Sequence, residues 1–229
     1  MSQALSVTEP PPARVTPPPF APPILVVAEA SHPRRGEIET FIEARFDRAF
    51  GARLPRHYPI LIGLWADDGG DLQAAAGVRF AEDEPLFLER YLDGSVEQAI
   101  AVAFGRPISR GSIVEIGSLA SDSPEASLRL FGALSAWLAA EHGRRFAVAT
   151  ARPELERLLV RAGFGLLALG PADPDRLGEG ASDWGSYYDR TPRVFAGEIG
   201  VSTALPLLRQ RLRARTMARA VRRLRRVTP

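Results

Sequence analysis

The sequence predicts one mixed α/β domain, with helices on both faces of a central sheet, between two terminal segments of different composition. Short apolar runs typical of strands alternate with stretches whose apolar residues recur every three or four positions, as in amphipathic helices. The predicted order of elements is β-α-β-β-α-β-α-β-α-β-β. A chain of 229 residues is long enough for one such domain with appendages, and too short for two full-sized domains.

The first half of the domain is predicted to contain a strand, a helix and a hairpin. The strand begins after Pro23, and the helix covers residues 33–50, where the apolar residues form one face. The nearly continuous apolar run Tyr58–Ala66 predicts a buried strand. Asp-Asp-Gly-Gly at 67–70 is typical of a hairpin turn, and the chain returns as a strand over Leu72–Ala81.

The second half is predicted to contain three helices and four strands. Ser123 is expected to cap the second of these helices, with Pro124 in its first turn. The helices are predicted over 94–105, 124–142 and 153–162, and the strands over 113–120, 146–150, 164–169 and 194–199.

The two terminal segments differ sharply from the domain at 24–201. Residues 1–23 contain eight prolines among small polar residues and are predicted to be extended or disordered. Residues 202–229 contain nine arginines and no acid, and they can be wound as a basic amphipathic helix. Without this tail the chain has 20 basic and 27 acidic residues, so its high isoelectric point comes from the tail.

Composition excludes several kinds of site. The chain has no cysteine, which excludes disulfides, thiolate metal ligands and a cysteine nucleophile. It has no lysine, which excludes a Schiff base on lysine, and its three histidines are scattered, so no metal site is predicted. No apolar run reaches the roughly 18 residues that span a bilayer, and no secretory signal is recognised. We therefore expect a cytoplasmic protein. Peripheral contact with the inner membrane is compatible with this expectation.

The segment Ile113–Ala120, Ile-Val-Glu-Ile-Gly-Ser-Leu-Ala, contains the strongest candidate for a functional site. Glu115 is a carboxylate inside an apolar strand, where burial is costly unless the group is paired. Gly117 allows a ligand or another part of the chain to approach closely. The strand leads into a helix N-terminus at 121–127, which favours phosphate. The alternative is an exposed glutamate on an edge strand with an ordinary β–α turn.

Four segments in the same order resemble the thermostable hemolysin family over residues 35–200. They are Gly77-Val-Arg79, 86–93 (Leu-Phe-Leu-Glu-Arg-Tyr-Leu-Asp), 113–121 and 184–188 (Trp-Gly-Ser-Tyr-Tyr). That family is similar to the GNAT-type acyltransferases, close to the acyl-homoserine-lactone synthases. The resemblance implies a GNAT-like mixed sheet whose central parallel strands splay apart to admit an acyl thioester, with pantetheine along residues 115–120.

The resemblance also implies roles for individual residues. Glu115 would deprotonate or orient the acceptor, and a tyrosine would protonate the leaving thiolate; the catalytic candidates are Glu115, Ser118 and Tyr188. The residues expected to bind the donor cofactor are Ile116, Gly117, Leu119, Ala120, Ser121, Ala126 and Ser127. The residues expected to bind the acceptor substrate are Arg79, Glu89, Tyr91, Trp184 and Tyr187. For the aromatic residues, core packing is the competing interpretation, and for Arg79 it is a solvent-facing position.

Two departures from the family pattern bear on the substrates. The loop 121–127 has no glycine and carries two acids, whereas GNAT enzymes that bind coenzyme A have a glycine-rich pyrophosphate loop there. This favours an acyl-carrier protein over acyl-CoA as the thioester donor. Leu119 stands where the synthases have arginine, so an S-adenosylmethionine acceptor is not implied.

The leading hypothesis is therefore an N-acyltransferase that moves an acyl group from acyl-CoA or an acyl-carrier protein to a small amine-type acceptor. A second hypothesis is a membrane-active protein whose tail, residues 207–226, binds an anionic membrane surface. A third is a catalytically inactive acyltransferase fold that only binds a ligand. Nucleic acid is not an expected partner, because the domain without its tail is acidic and carries no recognition motif.

Overall fold

The computed structural model describes residues 23–66 and 70–199. The predictions for the proline-rich segment up to residue 22, for residues 67–69 of the turn and for the arginine-rich tail lie outside these residues. Of the helices in the described ranges, none combines the length and the apolar character required to cross a bilayer.

The core of the molecule is a seven-stranded mixed sheet with the strand order β1-β2-β3-β4-β5-β7-β6. Only the β4–β5 pair is parallel, and every other neighbouring pair is antiparallel. The strands are β1 (Ile24–Ala28), β2 (Ile60–Trp65), β3 (Leu72–Phe80), β4 (Ile113–Ser121), β5 (Phe146–Ala151), β6 (Leu166–Pro171) and β7 (Arg193–Glu198). The predicted mixed sheet and the predicted order of helices and strands are confirmed.

Within the described residues, four α-helices flank the sheet, as predicted. They are α1 (Arg35–Phe50), α2 (Val96–Phe104), α3 (Pro124–His142) and α4 (Pro153–Arg161). Three 3₁₀ segments were not predicted: Phe87–Tyr91, Arg110–Ser112 and Pro174–Arg190. Segments of this kind are short or interrupted and have no apolar periodicity that a sequence pattern could reveal.

The helices cover both faces of the sheet, because alternate residues of a strand point to opposite sides. On β3, Ala74, Ala76 and Val78 belong to the core cluster beneath α3. Ala75, between them, belongs to the cluster beneath α1. A third cluster joins α2 to the β5–β7 end of the sheet.

The start of α3 follows the sequence prediction. The Ser123 hydroxyl accepts a hydrogen bond from the Ala126 N–H at 3.1 Å, and Pro124 occupies the first turn. A serine cap of this kind typically stabilises a helix by about 1 kcal/mol. It fixes the point at which the chain leaves β4 and turns back over the sheet.

The parallel strands β4 and β5 separate along their length. They pair only at Ile113–Phe146, Val114–Ala147 and Glu115–Val148. Beyond these positions β4 remains paired with β3, and β5 remains paired with β7. The middle of the sheet therefore opens beyond Glu115, and this opening contains the candidate site.

Candidate active site

A β-bulge in β4 lies at the point where the sheet opens. Gly117 pairs with Gly77 and Ala120 pairs with Ala75, so β4 has one more residue than β3 over this interval. Ser118, inside the bulge, has a positive φ of 48°. A bulge interrupts the ladder of hydrogen bonds and re-aims the backbone around the extra residue. The polar groups of residues 117–119 are thereby placed beside the opening.

Glu115 is 2% exposed and has both carboxylate oxygens occupied by backbone donors. The Phe87 N–H donates to Oε2 at 2.9 Å, and the Leu88 N–H donates to Oε1 at 3.0 Å. Burial raises the pKa of Glu115, although these hydrogen bonds and the charge of Arg79 oppose the rise. The predicted carboxylate is therefore a buried group that also fixes the start of the Phe87–Tyr91 segment.

Tyr58 completes this part of the site, and the sequence interpretation missed it. A Cβ on Gly117 would lie 2.0 Å from the Tyr58 hydroxyl oxygen, and a Cβ on Gly77 would lie 2.4 Å from the ring. The paired glycines thus leave the space that the tyrosine ring fills. Burial and the neighbouring Glu115 raise the pKa of Tyr58, so its hydroxyl remains protonated. The two strand glycines signalled a close approach, but nothing in the sequence identified its partner.

Arg79 lies across from Glu115 in the β3–β4 register. Its guanidinium is 5.1 Å from the centre of the Tyr58 ring, and its Nε is 3.0 Å from a Glu84 oxygen. Burial raises the pKa of both Tyr58 and Glu115, and the positive charge of Arg79 partly opposes that rise. Arg79 therefore influences the site through Tyr58 and Glu115, and it does not line the cavity described below.

The Trp-Gly-Ser-Tyr-Tyr segment is fixed against the end of α1. Gly185 has a φ of 51°, and a Cβ there would lie 2.0 Å from the Phe50 carbonyl oxygen. The adjacent Asp183 carbonyl accepts a hydrogen bond from the Arg53 N–H at 2.7 Å. Only glycine fits this close approach with a left-handed backbone. The result is that Trp184, Tyr187 and Tyr188 face the opening of the sheet.

These residues form an aromatic cluster with the Phe87–Tyr91 segment. The Phe87 and Trp184 rings are 5.6 Å apart, and the Tyr187 and Tyr188 rings are 5.2 Å apart. The hydroxyls of Tyr91 and Tyr188 are hydrogen-bonded to each other. Burial raises the pKa of both Tyr91 and Tyr188, which keeps both hydroxyls protonated at neutral pH. This wall of the opening can therefore donate protons as well as bind apolar groups.

A cavity of about 810 Å³ occupies the opening between β4 and β5. Eleven of the predicted site residues line it: Tyr91, Glu115, Ile116, Gly117, Ser118, Leu119, Ser121, Ser127, Trp184, Tyr187 and Tyr188. The volume lies in the range usual for sites that bind small molecules and cofactors. A cavity with aromatic and apolar side chains, a buried carboxylate and several hydroxyls in its wall suits the binding of a small molecule and a proton transfer.

The other predicted site residues lie away from the cavity. Ala120 is packed in the core beneath α1, Ala126 is packed in the core beneath α3, and Arg79 lies behind Tyr58. Glu89 accepts hydrogen bonds from the Leu86 and Val96 N–H groups and is paired with Arg110 at 2.7 Å. Its geometry is that of a carboxylate that joins neighbouring segments of the chain.

The amides at the start of α3 are largely used within the helix itself. Ala126 donates its N–H to Ser123, and Pro124 has no N–H to offer. Ser121 and Ser127 hydrogen-bond to each other through their hydroxyls at 2.6 Å. Asp122, one of the two acids of this loop, is paired with Arg45 of α1. The predicted anion site at 121–127 is therefore neither as open nor as acidic as the sequence indicated.

Arginines that the sequence interpretation did not single out line the α4 side of the cavity. They are Arg152, Arg157, Arg161 and Arg190. Glu154, at the start of α4, contacts three of them, and its shortest distance is 2.9 Å to Arg190. The charge of this wall is positive. Because the chain is rich in arginine, no sequence signal distinguished these four from the others.

A second, smaller cavity of about 60 Å³ lies between α3, α4 and the β5–β7 part of the sheet. It shares Phe131, Ala149 and Leu155 with the main cavity. Its other lining residues include Leu159, Phe164 and Phe195. The main cavity thus adjoins an apolar space on the far side of the opening.

Within the described part of the chain, no group of three or more acidic or histidine side chains is placed to hold a metal ion.

Comparison with known proteins identifies the family. The family model for thermostable hemolysin matches residues 28–203. The chain belongs to the thermostable hemolysin family. This match covers all of the cavity-lining residues and agrees with the resemblance noted in the sequence. A comparison with curated proteins gives no match.

The solved structures similar to this member of the family include two acyl-homoserine lactone synthases and an N-acyl amino acid synthase. The AHL synthase LasI has a TM-score of 0.54 at 13% identity, covering 80% of this chain and 93% of its own. BjaI, a CoA-dependent acyl-homoserine lactone synthase solved with SAM and isopentyl-CoA, has a TM-score of 0.54 at 17% identity, covering 83% and 89%. FeeM, an N-acyl amino acid synthase from uncultured soil microbes, has a TM-score of 0.54 at 14% identity, covering 83% and 98%. The predicted GNAT-like fold is confirmed.

Proposed function

We propose that this protein is an N-acyltransferase that moves an acyl group from a pantetheine thioester to a small amine-type acceptor. The observation that supports it most directly is the placement of Glu115 and Tyr58 at the wall of a cavity opened by the separation of β4 and β5. The fold is similar to those of an AHL synthase and an N-acyl amino acid synthase, but a fold alone does not specify an activity, whereas the residues of the site support this one.

In this proposal, Glu115 is the final acceptor of the amine proton. A carboxylate with a raised pKa is a stronger base than an ordinary one, and the burial of Glu115 provides this. Both of its oxygens already accept backbone hydrogen bonds, so direct contact with an acceptor is restricted. Tyr58 is hydrogen-bonded to Glu115 and lines the cavity, so its hydroxyl would take the proton from the amine while giving its own proton to Glu115.

The bond changes then balance without a further reactant. The amine nitrogen forms a bond to the thioester carbonyl carbon, and the carbon–sulfur bond breaks. Backbone N–H groups at the Gly117–Leu119 bulge would stabilise the negative charge that develops on the carbonyl oxygen. Tyr188 would donate a proton to the leaving thiolate. Glu115 would then release the amine proton to water while Tyr188 regains a proton from water, so that both groups return to their starting states. The products are an amide and a free thiol.

The acyl chain would extend toward the smaller apolar cavity. Phe131, Ala149 and Leu155 border both spaces, so an aliphatic chain attached to a carbonyl near the bulge can continue between α3 and α4. Burial of a methylene group stabilises such a complex by about 0.8 kcal/mol. The aromatic wall formed by Trp184, Tyr187 and Tyr188 would bind the acceptor.

The test is a transfer assay with the full-length protein. Acyl-CoA and acyl-carrier-protein thioesters of several chain lengths are incubated with pooled amines, and amide products and free thiol are measured by mass spectrometry. We expect amide formation that depends on both substrates, and a decrease in kcat of roughly 10²- to 10⁴-fold for Glu115→Gln, as for loss of a general base.

The matched control is Glu97→Gln on α2, a partly buried carboxylate paired with Arg110 and absent from the cavity lining. This variant should retain activity close to that of the wild type. Equal activity of the Glu115→Gln and wild-type proteins would exclude the proposed base. An absence of transfer from every thioester would contradict the proposed reaction and leave the ligand-binding and membrane-active hypotheses.

A further inference from the structure

We infer that Arg157 and Arg161 of α4 bind the phosphate group of the thioester donor, a role that GNAT-type proteins usually give to a loop before α3. This inference rests on the proposed function for its ligand, the phosphopantetheine unit shared by coenzyme A and acyl-carrier proteins. The two arginines are four residues apart on one helix, so their side chains lie on the same face. Both line the main cavity.

The start of α3, where GNAT-type proteins usually bind the phosphate, has few free hydrogen-bond donors for an anion. Pro124 lacks an N–H, and the Ala126 N–H is used by the Ser123 hydroxyl at 3.1 Å. The Ser127 N–H donates to the Ser123 carbonyl at 3.1 Å, as in the body of the helix. The hydroxyls of Ser121 and Ser127 bind each other at 2.6 Å. A phosphate entering the cavity therefore needs donors from elsewhere.

The α4 wall supplies these donors with an excess of positive charge. Four arginines line the cavity there, and Glu154 is the acid among them. Asp122, on the opposite side, is neutralised by its ion pair with Arg45. Arg161 has no ion-pair partner among the described residues, and Arg157 reaches Glu154 only at 4.0 Å. Both guanidinium groups are thus available to a ligand.

The geometry of a guanidinium group suits a phosphate group. Its fixed N–H donors can form two parallel hydrogen bonds to a phosphate, and charge-assisted bonds of this kind are among the strongest in proteins. A phosphate on the α4 side would leave the pantetheine arm to run past the β4 bulge toward Glu115. Coenzyme A and a carrier protein present the same phosphate, so the experiment must separate the two sources.

Binding to the full-length protein is measured by calorimetry, without an acceptor, for phosphopantetheine and for pantetheine. The wild type should bind phosphopantetheine at least about 10-fold more tightly, the factor expected for a hydrogen bond to a charged group. In the Arg157→Gln/Arg161→Gln variant this difference should fall to near unity, while pantetheine binding stays unchanged. Glutamine retains helix propensity, so α4 is preserved.

The matched control is Arg48→Gln/Arg56→Gln, which removes two exposed arginines that do not line the cavity. It lowers the net charge equally and should leave the phosphopantetheine preference intact. Coenzyme A and holo-carrier protein are then compared across the same variants. The α4 double variant can lose affinity for coenzyme A alone or for the holo-carrier protein alone. Either result identifies the source of the phosphate, and both outcomes support the α4 site.

Two results would overturn the inference. One is equal binding of phosphopantetheine and pantetheine by the wild type, and the other is a phosphate preference that survives in the α4 double variant. Because these measurements involve no acyl transfer, they are independent of the transfer assay. Failure of that assay would remove the proposed reaction and leave a phosphate-binding result unaffected.

Discussion

Tyr58 and the paired glycines Gly77 and Gly117 determine the shape of the site at the scale of single residues. A tyrosine ring lies where two side chains would otherwise project from adjacent strands. Its hydroxyl then reaches Glu115, and the Arg79 guanidinium covers its ring. Three positions far apart in the sequence thus place one hydroxyl beside one carboxylate.

Removal of the hydroxyl in Tyr58→Phe should lower kcat by about 10²-fold with little change in KM, as for loss of a group that transfers a proton. The pH profile should move as well. The hydrogen bond from Tyr58 lowers the pKa of Glu115, so its loss raises that pKa further. The rise of kcat/KM with pH, which follows ionisation of Glu115, should therefore shift to higher pH in Tyr58→Phe and disappear in Glu115→Gln.

An unshifted profile in Tyr58→Phe, with kcat reduced, would assign Tyr58 to packing alone. The thermal midpoint of the variant, measured in parallel, shows whether the fold is retained.

Gly117→Ala should destabilise the protein, because the added methyl group would lie 2.0 Å from the Tyr58 hydroxyl oxygen. Overpacking of this kind typically costs about 1–3 kcal/mol. Denaturant unfolding measures the change. The loss should be smaller when Tyr58→Ala is present as well, and this non-additivity identifies the contact. Gly36→Ala is the control, since a Cβ there meets nothing within 4 Å.

The sequence predicted Glu115 because a charge inside an apolar strand is conspicuous, and the structure places it at the cavity wall. The sequence pattern predicts a buried strand that includes Tyr58, but it does not predict the contacts of this side chain. The partners of Tyr58 are a glycine 19 residues later and another 59 residues later. Contacts between distant strands depend on register, which no local pattern specifies. The contact between Gly185 and the end of α1 also joins residues that are far apart in the sequence, so no local pattern predicts it.

At the scale of elements, the short Phe87–Tyr91 segment is held by two carboxylates. Glu115 accepts the Phe87 and Leu88 N–H groups, and Glu89 accepts the Leu86 and Val96 N–H groups. A 3₁₀ segment of five residues has little stability of its own. Its position over the sheet therefore depends on these bonds.

The charge of Glu89 should make stability depend on pH. The hydrogen bond from Arg110 is the main reason that its pKa is lowered to about 2 from 4.5. A lowered pKa stabilises the folded state at pH values above 4.5, the pKa of this group in the unfolded chain. The contribution disappears as the pH falls toward 2. After allowance for solvent screening, we expect about 1–2 kcal/mol in this interval.

Denaturant unfolding between pH 5 and pH 2, compared for the wild type and Glu89→Gln, measures this contribution. The variant should show a shallower decrease. Arg110→Gln should produce a similar change because it removes the partner of the same carboxylate. Parallel curves for the wild type and both variants would show that the pair contributes nothing to stability.

The regular elements were predictable from local signals, and the irregular ones were not. The Ser123 cap, the apolar faces of the helices and the apolar strand runs are all encoded over a few neighbouring residues. The segments Phe87–Tyr91 and Pro174–Arg190 take their shape from distant contacts, such as those with Glu115 and Phe50. These segments carry the aromatic wall of the cavity, so the site was harder to predict than the sheet.

At the scale of the whole molecule, the cavity is formed by residues between Phe46 and Arg190. Removal of residues 204–229 should therefore leave thioester binding and transfer within about threefold of the full-length values. A basic amphipathic tail contributes about 1 kcal/mol per arginine to the binding of an anionic surface. We expect binding to vesicles that contain phosphatidylserine to decrease strongly on truncation.

Transfer kinetics and vesicle co-sedimentation of the full-length and truncated proteins test this division. Vesicles of phosphatidylcholine alone provide the uncharged control. Loss of transfer on truncation would place the tail in the catalytic machinery. Dye leakage that requires the tail, in a protein without transfer activity, would favour the membrane-active hypothesis.

The separation of β4 and β5 has one more consequence. A sheet normally exposes unpaired backbone groups only along its outer strands, but here an edge is created in its interior, beyond Glu115. An edge of this kind is completed by a ligand that carries alternating amide donors and acceptors, the mode of recognition known as β-augmentation. Pantetheine, with two amides, meets that requirement. If the donor is a pantetheine thioester, as proposed, its binding should slow amide hydrogen exchange along 116–121, and the donor would then act as a temporary strand of the sheet.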